Sequence, residues 1–372
     1  MPEIKKGVNR DATRRIAGSK KSASMAHKGR NIIVIGTSAG GLEALREVIG
    51  RLPAGLPASI FIVQHMPPES ISQAILSWLG HFNSFDPKLA EDGECFKPGR
   101  IYVAPPDSHL LLGETKLRVT KGARENRYRP AIDPLFRSAA VAHGPRVIGV
   151  ILTGMLDDGT AGLIAIQKCG GVIVVQDPND AAFPEMPQNA LNNADVDYCV
   201  PAAAMGPLLD RLAREHPGKN KPVPADVRME AEIAERVLGG GIAELDRLGS
   251  TAPYNCPTCG GVLWEMDSQD VQRYRCHTGH SFTSSALLLS QWERIEETLW
   301  TALRMFEERK NLLNASAKRA RSGQGLYSEY ARETDVHIER IRSILLAPAE
   351  QRSREPERRV RTSTDRGSGN SH

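Results

Sequence analysis

The chain has 372 residues, 40% hydrophobic and 5% aromatic, enough apolar material for one large aliphatic core and a smaller unit. No run of about eighteen apolar residues occurs, which argues against a membrane-spanning helix, and the N-terminus lacks the apolar stretch of a secretory signal, so the cytoplasm is the expected compartment. The net charge of +4 sits in the ends: residues 1–30 hold nine Lys/Arg against two acids and 351–372 six against three, leaving the rest of the chain acidic. Without aromatics to stack or insert, these tails read as solvated and disordered, and nucleic-acid or membrane binding is not expected.

A strand begins at Asn31-Ile-Ile-Val-Ile35, followed by a glycine-rich turn and a helix with apolar positions Leu42, Leu45, Val48 and Ile49. Ser59–Val63 reads as a buried strand and 69–82 as a helix. Short strands follow, with Ile101–Val103 and a hairpin over Leu110–Thr120 that turns at Gly113-Glu114. Asp133 before Pro134 suits an N-cap with proline at N1. Then come a strand over Arg146–Leu152, a helix over 159–168, a strand over Gly171–Val175, a short helix over 187–193, a strand over 196–200 and a helix over 202–214. Apolar strands alternating with helices predict an α/β fold, a doubly wound, mostly parallel sheet with helices on both faces across 31–214.

Residues 215–253 read as a linker, rich in Pro, Gly, Lys and Asn over His216–Pro224, and a polar helix over 225–247. A compact cysteine unit spans 254–282. Beyond it, Leu288, Trp292, Ile295, Leu299, Ala302 and Phe306 space an apolar seam along one helix, and Ile338, Ile341 and Leu345 mark a second, so 283–346 reads as a helical hairpin. Residues 347–372 read as a disordered tail.

Three strand ends carry chemistry. Ser38 lies in Gly36-Thr-Ser-Ala-Gly-Gly41, between a strand and a helix N-terminus, where sites form in parallel sheets and free amides can hold an oxyanion. The same loop could cradle a phosphate, but the full dinucleotide spacing and its acidic partner are missing. A tight turn with a capping serine is the third reading. His65 follows the second strand directly and is a candidate base. Asp157 and Asp158 follow the strand Val147–Leu152, and an acid there can hold an imidazole tautomer; an N-cap for helix 159–168 is the other reading.

Across Ile32–Met205 the chain resembles the chemotaxis-type protein-glutamate methylesterase family. The likeness runs through Gly36-Thr-Ser-Ala-Gly-Gly41, Gln64-His-Met-Pro67, Ile101-Tyr-Val-Ala-Pro-Pro-Asp-Ser-His109, Arg129-Pro-Ala-Ile-Asp-Pro-Leu-Phe-Arg-Ser138, Leu152-Thr-Gly-Met-Leu-Asp-Asp-Gly159 and Met186-Pro187. The resemblance implies Ser38 as nucleophile, His65 as base and Asp158, the acid next to glycine, as third member, with Ala39 and Met155 beside the oxyanion. It implies demethylation of glutamyl γ-methyl esters on chemoreceptor-like proteins, with deamidation of glutamines as a second activity and no catalytic cofactor. Three departures stand out. Only some thirty residues, basic overall, precede the first strand, where most members carry a phosphorylatable receiver domain, so control by phosphorylation is not implied. Ala39 stands where a hydroxyl residue is common, and Gln188 where arginine is common.

Cys256-Pro-Thr-Cys259 forms a knuckle, and sixteen residues later comes Cys276-His-Thr-Gly-His280. This spacing resembles a zinc ribbon and predicts a structural zinc on Cys256, Cys259, Cys276 and either His277 or His280. His280 is favoured, because Gly279 allows a second turn and adjacent residues rarely ligate together. A ribbon that has lost its metal, or three buried thiols, are the alternatives. Cys95, Cys169 and Cys199 are isolated. Besides the hydrolase, the appended ribbon leaves open a regulatory binding module on a degenerate esterase scaffold, though drift would be expected to erode the triad first.

Overall fold

The computed structural model describes residues 29–66, 72–80, 85–236, 241–267, 271–320 and 322–347. The tails read as disordered therefore fall almost wholly outside the described residues, as do the ends of the helix expected over 69–82. A seven-stranded sheet organises the first half of the chain. Its strands are β1 (Ile32–Thr37), β2 (Ser59–Gln64), β3 (Asp86–Leu89), β4 (Arg100–Val103), β7 (Val147–Ile151), β8 (Val172–Gln176) and β9 (Tyr198–Val200). The spatial order is β3-β4-β2-β1-β7-β8-β9, and every pairing is parallel. A two-stranded hairpin, β5 (His109–Leu112) with β6 (Leu117–Thr120), lies apart from it.

Helices cover both faces because β1, β2, β7 and β8 are buried on both sides. One layer holds α1 (Gly41–Ile49), α2 (Ser72–Leu79) and α6 (Ala202–Arg214), packed on Ile33, Ile35, Ile60, Ile62 and Val150. The other holds α3 (Ile132–His143), α4 (Thr160–Lys168) and α5 (Glu185–Asn193), packed on Ile32, Val34, Phe61, Ile151 and Ile173. In α1 the buried residues Ala44, Leu45, Val48 and Ile49 recur at helical spacing, which is why that segment lies on the sheet. The N-terminus of α3 rides over β1 at Gly36: a Cβ there would come within 2.4 Å of Ile132.

Two helix starts differ from expectation. Ala131, not Asp133, is the N-cap of α3, and Asp133 lies inside the first turn, its carboxylate turned to the amides of Gly162 and Asn126. Gly159, not an aspartate, is the N-cap of α4. Both aspartates of the pair are engaged by other partners. Strand β3 had no signal in the sequence: it is short, polar and at the sheet edge, so neither burial nor alternation marks it.

The expected polar helix over 225–247 is two pieces among the described residues, α7 (Ala225–Glu235) and α8 (Ile242–Leu245). It is also not a solvated linker element. Val227 enters the main core and Glu230 is buried.

The cysteine unit is a four-stranded antiparallel sheet, β10 (Gly249–Asn255), β11 (Val262–Met266), β12 (Arg273–Cys276) and β13 (Ser281–Thr283). It leads straight into α9 (Ser284–Arg319), which pairs with α10 (Gln324–Leu345) as the expected hairpin. Thr283 caps α9 by accepting the Ala286 amide. The seam is narrower than its spacing suggested: Leu288 and Ile295 are 59% and 47% exposed. Ala331 and Ile338 are buried on α10, and Phe306 stacks on His337.

Candidate active site

Ser38 and His65 leave adjacent parallel strands in register. Thr37 pairs with Gln64, the His65 amide donates to the Thr37 carbonyl at 3.0 Å, and the Gln64 side chain donates to the Ser38 carbonyl at 2.8 Å. Neighbouring strands run about 4.8 Å apart, which puts the two residues side by side at the sheet's carboxyl edge. The third expected group arrives from β7, the other neighbour of β1. His65 Nε2 donates to Asp158 Oδ2 at 2.8 Å, with side chains 3% and 1% exposed. The second ring nitrogen, Nδ1, is buried and has no hydrogen-bond partner among the described residues. An Nε2–H held by a carboxylate leaves Nδ1 with its lone pair free, the state a general base requires.

Asp158 accepts more than the imidazole. Its Oδ2 takes the Ile132 amide at 2.7 Å and its Oδ1 takes the Asp133 amide at 3.3 Å. These are first-turn amides of α3, which Ala131 has no side chain to cap. Asp158 therefore caps α3 from across the sheet, and the helix N-terminus in turn favours its charge. Burial pushes its carboxyl up, but the hydrogen bond and charge of His65, then the Ile132 amide and the Asn126 side chain, outweigh burial and hold it below the usual carboxylate range. Asp157 is different: burial lifts it to about 6, against a hydrogen bond from Thr283. Burial and the charge of Asp158 lift Asp133 to about 7.

The loop around the serine is built for close approach. The Ser38 amide is spent on the Thr153 carbonyl at 3.0 Å and the Gly154 amide on Phe183. The amides of Ala39 and Met155 donate to no backbone carbonyl among the described residues, which keeps both free for a developing oxyanion. Gly154 is sterically required: a Cβ there would fall 2.8 Å from the Ser38 Cβ and 2.1 Å from the Met186 sulfur. Ser38 is half-buried and Met155 is 46% exposed, so the Ser38 side of the site opens to solvent while the His65 side is closed.

Two residues close the His65 side that sequence reasoning passed over. Tyr128 lies flat on the His65 ring, centroids 3.6 Å apart. The Asn126 side chain donates to Asp158 Oδ1 and to Asp133 Oδ2, each at 2.9 Å, and accepts the Thr283 amide at 3.1 Å. Asn126 sits at φ 47°, a left-handed conformation that asparagine tolerates better than most residues, and that preference was the available signal. His109, within one of the quoted motifs, is structural: it accepts the Ala131 amide and donates to Ala123, and burial pushes its pKa down.

Cys256, Cys259, Cys276 and His280 come together with ligand atoms within 4.8 Å of one another. Cys259 and Cys276 sulfurs lie 3.7 Å apart, and Cys276 Sγ lies 3.5 Å from His280 Nδ1. A tetrahedral zinc with bonds of about 2.3 Å to sulfur and about 2.0 Å to nitrogen requires edges of about 3.8 and 3.5 Å, so the donor set fits. His277 packs against Gly261 instead. Cys256 donates to Cys276, which raises the first thiol and lowers the second.

Residues 33–209 match the family model described as CheB methylesterase. A protein-glutamate methylesterase/protein-glutamine glutaminase 2 of Methanosarcina mazei is 34% identical over 205 residues, covering 52% of this chain and 56% of that protein. One of the same name from Rhodospirillum rubrum is 40% identical over 182 residues, covering 48% and 50%. The chain thus spans about half the length of the curated relatives it matches. The crystal structure of the Thermotoga maritima CheB methylesterase catalytic domain is 36% identical, with 49% of this chain and 98% of that one covered and a TM-score of 0.47.

Proposed function

We propose that this chain, which carries a CheB methylesterase-family domain over residues 33–209, hydrolyses glutamyl γ-methyl esters on a chemoreceptor-like signalling protein in the cytoplasm. The observation that carries the reading is the His65–Asp158 bond at 2.8 Å beside an Nδ1 with no partner among the described residues, one strand away from Ser38.

In the reaction, the Ser38 hydroxyl gives its proton to His65 Nδ1 as its oxygen attacks the ester carbonyl. Asp158 stabilises the imidazolium through Nε2–H, and the amides of Ala39 and Met155 hold the oxyanion. The imidazolium returns the proton to the departing methoxide, releasing methanol and leaving an acyl-serine. Water, deprotonated by His65, then cleaves the acyl-serine to free glutamate and Ser38. A glutamine substrate would follow the same course with ammonia leaving. Catalysis needs no cofactor.

Cys256, Cys259, Cys276 and His280 would hold a structural zinc; four protein ligands leave no open position for chemistry. The division of labour we infer is a catalytic domain over 31–214, a bridging segment over 215–253, a ribbon over 254–282 and a helical hairpin over 283–346 that meets the receptor. Methanol release from a panel of methylated receptors tests the reading. Wild type should release methanol and Ser38→Ala should not, with unchanged far-UV circular dichroism; a fully active Ser38→Ala protein would overturn it.

A further inference from the structure

The segment that closes the His65 side of the site is held from two sides, by Arg137, Asp133 and Asp158 of its own domain and by the C-terminal unit. Glu125 accepts both terminal nitrogens of Arg275 at 3.1 Å. The Asn126 amide donates to the Ser281 carbonyl at 2.8 Å, and its side chain takes the Thr283 amide. Arg127 pairs with Glu293 on α9. The Ser281 amide returns a bond to the Arg124 carbonyl. Asn126 and Tyr128, which touch Asp158 and His65, thus stand on a turn gripped from outside their own domain.

The grip adjoins the cysteine cluster in sequence. Arg275 immediately precedes Cys276, and Ser281 immediately follows His280. The Cys276 amide donates to the His280 carbonyl at 3.0 Å, closing the turn that carries both ligands. A bound metal would lock the residues on either side of that turn, and those are the residues that hold Glu125 and Asn126.

We propose that the β10–β13 sheet is a clamp on the catalytic residues, with Asn126 a positioning residue, so that zinc on Cys256, Cys259, Cys276 and His280 sets the placement of Asp158 and His65. The proposal rests on the esterase reading for its consequence but not for its geometry. Loss of the metal frees Arg275 and Ser281 and leaves the 124–128 turn to Arg137, Asp133 and Asp158 alone, which loosens the Asn126 bond to Asp158 and the Tyr128 stack on His65. Misplacement of catalytic groups by about 1 Å can cost about a hundredfold in rate.

The test uses the full chain with zinc bound, stripped with a chelator and reloaded. Two quantities are read: the His65 ring resonances by NMR, and the rate at which a fluorophosphonate labels Ser38. Stripping should shift the His65 resonances and slow labelling by about ten- to a hundredfold, and zinc should restore both. Asn126→Gly, which keeps the left-handed backbone and removes the side-chain bonds, should reproduce the slow labelling with its zinc content unchanged. Unchanged His65 resonances in the stripped protein overturn the clamp, as does a chain that takes up no zinc. Zinc-loaded protein that does not label at Ser38 overturns the esterase reading instead, and the clamp is still decided by the resonances.

Discussion

Tyr128 lies parallel to the His65 imidazole, with ring centroids 3.6 Å apart and planes 11° from parallel. The contact holds the ring against rotation about its hydrogen bond to Asp158. Such a pair contributes about 0.5–1.5 kcal/mol. Tyr128→Phe should therefore keep kcat within about twofold, and Tyr128→Ala should lower it by about tenfold. Steady-state kinetics on a methyl ester decide this; equal rates for Tyr128→Ala and wild type would remove the ring from the site's workings.

Asp158 has two jobs, and one substitution should report both. Asp158→Asn puts an amide where His65 Nε2–H and two α3 amides need an acceptor. A comparable change in a triad costs about 10⁴ in kcat. Losing a helix cap costs about 1 kcal/mol. The variant should be nearly inactive and melt at a lower temperature than Ser38→Ala, which disturbs only the nucleophile. Identical melting curves for the two would show that the α3 amides do not depend on this charge.

Gly154→Ala should damage the site without touching a reactive atom. Its Cβ would meet the Ser38 Cβ at 2.8 Å and the Met186 sulfur at 2.1 Å. Overpacking of this kind costs about 1–3 kcal/mol and displaces its neighbours. Activity should fall at least as much as stability, read by kinetics and urea denaturation together. A variant with wild-type rate and stability would show that this loop yields more than its packing implies.

Burial raises Asp157 to about 6 from an ordinary 3.8. A raised folded-state value means the stabilisation is fully present below about pH 4 and is lost as pH rises through about 6. Asp157→Asn keeps an acceptor for Thr283 and cannot titrate. The difference in urea midpoint between wild type and variant should therefore change between pH 4 and 7, moving in the variant's favour as pH rises. A pH-independent difference would contradict the assignment.

The buried charge cluster should respond asymmetrically. Arg137, Arg273 and Arg275 face Glu125 and Glu230, all nearly inaccessible to solvent. Burial pushes both glutamates up, yet the arginines hold them below their usual range. Glu125→Gln leaves three cations on one anion and should cost about 3–5 kcal/mol. Arg275→Gln leaves two against two and should cost less, about 1–3 kcal/mol. Chemical denaturation of the two variants, in parallel, checks the order.

Much of this was legible along the chain. Strands such as Ser59–Gln64 are built on unbroken apolar runs, here Ile60–Val63, buried on both faces, and local pattern alone identifies those. The strand-end placement of Ser38, His65 and Asp158 follows from the alternation, because each lies just past such a run. Cys256, Cys259, Cys276 and His280 were readable from spacing, since the knuckle and its counterpart are each a short turn. Asp133 misled as a cap: composition favours aspartate there, but its carboxylate serves Gly162 and Asn126 instead.

The sequence by itself determined the parallel sheet apart from its edge strand β3, the order of its helices and which residue types stand at its carboxyl edge, because periodicity and turn chemistry act over a few residues. Only the tertiary structure decided that Asp158 caps α3, that Tyr128 covers His65 and that the cysteine sheet grips the turn carrying both contacts. Glu125 and Arg275 meet across 150 residues of chain. Such pairing depends on which buried charges must find partners once two surfaces come together, and no local pattern encodes that.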